Sequence, residues 1–217
     1  FITIEDDNIK NHSAGHISNE EAHELIGFLQ KELGSGTTLA GNLSIDFFPG
    51  VSYRHLAKVK NGNKELACTP PHDQIGRPFR EHMIAALSPA SQSTADYLNE
   101  ITLLSQELLP SHPVNLQRVA QGKDPANSIW LWSPGYRPQM SAMKEKYGFA
   151  RGSVISAVDL IKGIGVYAGL KVIEVEGATG LYDTNYAGKA AAAIQAPRTD
   201  DFVFPHIEAL AEAGHDG

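Results

Sequence analysis

Apolar residues recur at helical spacing in two long stretches and at strand spacing in several shorter ones. Ser18-Asn19-Glu20-Glu21 reads as a capping box, in which the serine accepts a backbone N–H and Glu21 reaches back. Ala22, Leu25, Ile26, Leu29 and Leu33 then share one helical face, and Gly34 ends the run. Ser91 to Leu109 predicts a second helix through Ala95, Leu98, Ile101, Leu104, Leu108 and Leu109, stopped by Pro110 and Pro113. Between them, Leu43 to Phe48 and Arg54 to Lys60 alternate as two strands. Asn61-Gly62-Asn63 signals a hairpin turn, and Glu65 to Cys68 reads as the returning strand. Phe1 to Ile4 is a further strand, followed by the acidic turn Glu5-Asp6-Asp7-Asn8.

Past Tyr147-Gly148 the pattern changes. Strands expected at 154–158, 172–175 and 201–204 alternate with helices at 159–168 and 185–194, which implies parallel βαβ units. The expected fold class is therefore α/β: a mixed α+β domain over residues 1–145, then a parallel-sheet portion over 146–217. The stretch 122–140 between them is loop-rich, with Pro125, Pro134 and Pro138, and holds both tryptophans, Trp130 and Trp132.

Composition narrows the function classes. With 42% hydrophobic and 20% charged residues the chain has the make-up of a globular protein. Its net charge of −7 argues against general nucleic-acid binding, which wants a basic face. No stretch approaches the roughly 20 apolar residues of a membrane helix. One cysteine, Cys68, excludes an internal disulfide and fits a reducing, cytoplasmic setting. Both ends read as cut from something longer: Phe1 stands inside a strand, and Gly214-His215-Asp216-Gly217 stops with no closing element.

Candidate chemistry sits in four places. His72-Asp73 follows the stiff pair Pro70-Pro71, where a rigid loop holds polar groups, or where Asp simply caps a turn. Arg54-His55 beside Tyr53 suits an anion, since guanidinium pairs bidentately with phosphate or carboxylate, although an exposed strand position explains it equally. His206-Ile207-Glu208 follows a predicted strand at the carboxyl edge of a parallel sheet, a place for a divalent metal or for a merely solvated loop. Lys162 lies on a helix with Gly163 and Gly165, which make no dinucleotide fingerprint, and Gly177-Ala178-Thr179-Gly180 falls short of a P-loop. Cys68 reads as a small buried residue more than a nucleophile.

Longer strings carry a resemblance. Ser13-Ala14-Gly15-His16-Ile17-Ser18, Pro49-Gly50-Val51-Ser52-Tyr53-Arg54-His55-Leu56 and Cys68-Thr69-Pro70-Pro71-His72-Asp73 occur in order. Asn127-Ser128-Ile129-Trp130-Leu131-Trp132 and Ile155-Ser156-Ala157-Val158-Asp159-Leu160-Ile161-Lys162-Gly163-Ile164-Gly165 follow. Glu176-Gly177-Ala178-Thr179-Gly180, Asp183-Thr184-Asn185-Tyr186 and Glu212-Ala213-Gly214-His215-Asp216-Gly217 complete the set. Together they resemble the archaeal-type, cofactor-independent phosphoglycerate mutases of the alkaline phosphatase superfamily.

That resemblance implies an alkaline-phosphatase-like core with two divalent metals, Mn or Mg, and an inserted substrate-handling domain, here residues 1–145. It implies phosphoryl transfer through a serine hydroxyl without 2,3-bisphosphoglycerate, on a small phosphorylated substrate. Arg54 becomes a phosphate or carboxylate clamp, His72 and Asp73 substrate-binding residues lining an interdomain cleft, Lys162 a catalytic lysine facing the phosphoryl group, and His215 a metal ligand. One position departs: Ala211 stands where the family has an aspartate four residues before the histidine, so that metal site is damaged unless Glu208 or Glu212 substitutes. The nucleophile and the other metal ligands are expected outside the chain. Two alternatives stay open, a homoserine kinase-like phosphotransferase on the same scaffold and a non-catalytic binding module motivated by Ala211.

Overall fold

The computed structural model describes residues 1–34, 42–180 and 182–208. The chain divides into two compact units, Phe1–Tyr136 and Arg137–Gly217.

In the first unit, β1 (Thr3–Glu5) and β2 (Asn8–Asn11) form an antiparallel hairpin. Its two turn residues, Asp6 and Asp7, both have positive φ (48° and 61°), as a two-residue turn matched to strand twist requires. The helix α1 (Asn19–Leu33) starts with the expected reciprocal cap, Ser18 accepting from the Glu21 N–H while Glu21 accepts from the Ser18 N–H. Gly34 closes α1 in an extended conformation. Glycine is required there by space, because a Cβ would stand 2.2 Å from the Gln30 carbonyl oxygen.

The strands β3 (Ser44–Phe48) and β4 (Leu56–Lys60) pair antiparallel as expected. The expected returning strand behaves differently. β5 (Leu66–Ala67) forms, yet pairs with β6 (Ala85–Ala86) and not with β4. The Asn63 N–H donates to Thr94 Oγ1 and the Asn63 side chain caps the Glu65 N–H, which pins the turn elsewhere. Thr94 lies on α2 (Gln92–Leu108), the second expected helix. The helix α3 (Pro113–Ala120) was not expected, because Pro113 looks like a stop; it occupies the first turn, where its missing N–H is no loss, and His112 caps the Val114 N–H. Ala22, Leu25 and Leu29 of α1, Ile45 and Phe47 of β3, and Leu98 and Ile101 of α2 bury one core.

In the second unit, α4 (Met143–Tyr147) precedes a parallel sheet. β7 (Gly152–Ile155), α5 (Asp159–Tyr167), β8 (Lys171–Val172), α6 (Tyr186–Gln195) and β9 (Phe202–Pro205) follow in turn. The sheet order is β8-β7-β9, all parallel, as the alternation of strands and helices predicts. The chain leaves the central strand for one edge and returns to the other, so a topological switch point lies beside the carboxyl ends of β7 and β9. Close packing of α5 on β7 depends on Gly165, where a Cβ would fall 2.5 Å from Val154 Cγ1.

Candidate functional site

A face of the first unit gathers rings and charges around Tyr53. The Arg54 guanidinium lies over the Tyr53 ring, 4.3 Å from its centroid. His12 and His16 both meet Tyr53 edge to face, with centroids 5.9 and 6.2 Å away. His12 also meets His72 at 6.1 Å, and His72 meets Trp132 at 5.8 Å. Asp73 stands beside His72, Oδ1 to Nε2 3.7 Å, in the short 3₁₀ turn Pro71–Gln74. The stiff Pro70-Pro71 pair thus delivers a histidine and a carboxylate to the face that carries Arg54.

Two turns hold this face in place. The Ser52 hydroxyl donates to the Ile17 carbonyl (2.6 Å) and the Ser52 N–H to Asn19 Oδ1 (2.7 Å), which ties the Tyr53 turn to the segment just after His16. The Phe1 nitrogen donates to the Tyr53 carbonyl (2.6 Å). Ala14, Gly15 and His16 are consecutive residues with positive φ (50°, 61° and 49°). Such a run is costly for residues other than glycine and persists only where its surroundings dictate it. Here Arg118, 2% exposed, donates from Nη2 to the Ala14 carbonyl, from Nε to the Asp124 carbonyl and from Nη1 to Glu21.

His55 does not join Arg54. Its Nδ1 accepts from the Gly50 N–H (3.0 Å) and its ring packs on Phe1. Burial is the main cause that pushes its pKa down to about 3, so it stays neutral. Cys68 packs against the core with its thiol pKa raised by burial, which fits the reading as a small apolar residue.

The second unit places Lys162 on α5 with Nζ 2.8 and 3.1 Å from the carboxylate oxygens of Glu174, which follows β8. At the switch point the His206 N–H donates to the Ile155 carbonyl (2.8 Å), and His206 Nδ1 lies 3.2 Å from Glu208 Oε2. Lys189 of α6 is 2% exposed, its Nζ makes no hydrogen bond among the described residues, and burial lowers its pKa against a smaller opposing pull from Glu208. Ala211, Glu212 and His215 lie outside the described residues. Among the described residues no three His, Cys, Asp or Glu side chains converge to hold a metal. By themselves these residues do not fit a metal centre.

The family described as 2,3-bisphosphoglycerate-independent phosphoglycerate mutase matches residues 1–115, more than half of the chain. The chain belongs to this family. A phosphoglycerate mutase of that name from Methanosarcina barkeri is 50% identical over 218 residues, covering 100% of this chain and 51% of the relative. The chain thus spans about half the length of the curated relatives it matches. Among solved structures, a Pyrococcus horikoshii protein is similar with a TM-score of 0.66 at 24% identity, covering 100% of this chain and 47% of that one. A cofactor-independent phosphoglycerate mutase from Thermoplasma acidophilum gives a TM-score of 0.57 at 24% identity, covering 95% of this chain and 52% of that one. These two likenesses show the fold.

Within this phosphoglycerate mutase family chain, three residues singled out from sequence, Arg54, His72 and Asp73, stand on one face of the first unit. Lys162 belongs to the second unit and is engaged with Glu174. Sequence reasoning did not single out His12, His16 or Trp132. The available signal is the spacing of His12 and His16 around Ser13-Ala14-Gly15, a short polar turn in front of a capped helix.

Proposed function

We propose that this chain is part of an enzyme that interconverts 3-phosphoglycerate and 2-phosphoglycerate through a phosphorylated serine. Residues 1–145 act as the inserted substrate-handling domain and 146–217 as part of an alkaline-phosphatase-like core. The observation that carries this is the 50% identity along the whole chain to a relative bearing that name. Arg54 grips a phosphate or carboxylate oxygen pair through its planar fork. His72 and Asp73 supply a donor and an acceptor for the rest of a small phosphorylated hydroxy acid. Lys162 is assigned to the phosphoryl group, giving up Glu174, whose side chain is 72% exposed and readily resolvated. In the whole enzyme two divalent ions, Mn or Mg, would complete the site, with His215 as one ligand, and would supply Lewis acidity toward a hydroxyl and the phosphoryl oxygens. The setting is the reducing cytoplasm. Among the described residues no helix is long and apolar enough to cross a membrane.

The test is to follow full-length protein with 3-phosphoglycerate and Mn by phosphorus NMR. The expected result is 2-phosphoglycerate without added 2,3-bisphosphoglycerate and without release of inorganic phosphate. Formation of ADP and phosphohomoserine from ATP and homoserine, with no mutase activity, would overturn the reading in favour of the kinase. Neither reaction, with only one weak Mn site, points to the binding module that Ala211 motivates. Within an active enzyme, Lys162→Ala is expected to lower kcat far more than it raises KM.

A further inference from the structure

The proposed grip so far uses Arg54, His72 and Asp73, but the face contains more than these. The rings form a continuous row, His16 to Tyr53 to His12 to His72 to Trp132, each contact edge to face and each centroid separation between 5.8 and 6.2 Å. Three imidazoles therefore stand beside a guanidinium and one carboxylate. That inventory is rich in N–H donors and carries a cation that an anionic ligand would meet. His16 and His72 are exposed, so neither ring serves the core.

The backbone under His16 points the same way. A helix entry needs no left-handed run before its cap, and α1 is already capped by Ser18 and Glu21. Yet Ala14, Gly15 and His16 all hold positive φ, with the Ala14 carbonyl fixed by buried Arg118 and the His16 N–H donating to Ser13 Oγ (3.3 Å). Asn11 Oδ1 in turn accepts from both the N–H and the hydroxyl of Ser13 (2.8 and 2.9 Å). Left-handed backbone at a non-glycine residue, imposed by buried partners and ending in an exposed side chain, is the pattern of a device that aims that side chain.

We propose that His12 and His16 are further binding residues for the substrate anion, and that the turn 14–16 serves to present His16 to it. This rests on the reading of the Arg54 face as the substrate grip. The ligand class is a small acid with two anionic ends, a phosphate and a carboxylate. Arg54 takes one end, the imidazoles of His12 and His16 donate to the other, and Asp73 accepts from a hydroxyl between them.

Calorimetric titration of full-length protein with 3-phosphoglycerate tests the proposal. The variants are His16→Gly, which suits positive φ, and His12→Ala, with Arg54→Ala alongside. Each histidine variant is expected to weaken Kd by about tenfold or more, the loss of one charge-assisted hydrogen bond, with the melting temperature unchanged. Unchanged Kd in both histidine variants, while Arg54→Ala weakens it, overturns this inference and leaves the grip reading standing. Unchanged Kd in all three overturns the grip reading itself. Should His16→Gly fail to fold, His16→Asp keeps the left-handed tolerance and removes the donor: a Kd equal to wild type there refutes the role of His16.

Discussion

Arg118 offers the most direct check on how the candidate face is built. It is 2% exposed and donates to three acceptors in different parts of the chain: Glu21 Oε2 (2.7 Å), the Ala14 carbonyl (2.7 Å) and the Asp124 carbonyl (2.9 Å). Replacing it with Met keeps the aliphatic stem and removes all three donors. Two carbonyls then lose a partner, at about 1–3 kcal/mol each if they remain buried, with carbonyls toward the lower end. Glu21 is partly exposed and still accepts from the Ser18 N–H, so its carboxylate falls back on water and adds little more. The sum is about 2–4 kcal/mol. Arg118→Lys keeps the charge without the three-way fork and is expected to cost about 2 kcal/mol. Urea unfolding followed by the fluorescence of Trp130 and Trp132 reads both variants. A loss below about 1 kcal/mol for Arg118→Met would refute the reasoning, because it would mean that the turn 14–16 is held by something else.

Three further outcomes are expected. Because the folded state keeps His55 at a pKa of about 3 against 6.5 unfolded, the unfolded state binds more protons below pH 6.5. Stability is therefore full above about pH 6.5 and falls as pH drops toward 3, by about 2 kcal/mol between pH 7 and 5, and urea midpoints at the two pH values should show it. His55→Asn, which can still accept from the Gly50 N–H, should lose that slope. Gly165→Ala puts a Cβ against Val154 and should destabilise the second unit by about 1–3 kcal/mol in thermal unfolding. Lys189→Met removes an ammonium buried without a hydrogen bond among the described residues and should leave the melting temperature equal or higher; a large fall would show that Lys189 has a partner worth more than its desolvation.

Much of the fold was legible because local signals and tertiary packing agree. The Ser18 box, the α1 stripe and the alternation of strands and helices after residue 150 are each decided within a few residues. Where a local signal serves two purposes, the reading failed. Pro113 both ends one helix and begins another, and the Asn61-Gly62-Asn63 turn is real but redirected by Thr94 of α2. The candidate face was half legible. Arg54 and His72-Asp73 stand out by residue type and by the stiff prolines. His12, His16 and Trp132 do not, because what joins them is ring contact with Tyr53 and His72 across wide gaps in sequence, and no local spacing encodes that.

The clasp made by Arg118 also sets an order of events. It joins residues 97 and 104 positions apart in the chain, so its loop-closure cost falls on the folding chain before any of its bonds is gained. The pairing of β1 with β2 and the backbone ladder of α1 need only local hydrogen bonds, whereas the Arg118 bonds that hold the turn 14–16 must wait for α3 to be made and docked. At a synthesis rate of about 5–20 residues per second, that wait is on the order of 5–20 seconds on the ribosome. The turn that presents His16 thus takes its held shape only after residue 118 has been made. Mutations that slow the docking of α3 will delay the setting of the ligand face along with the Val114 side of the core.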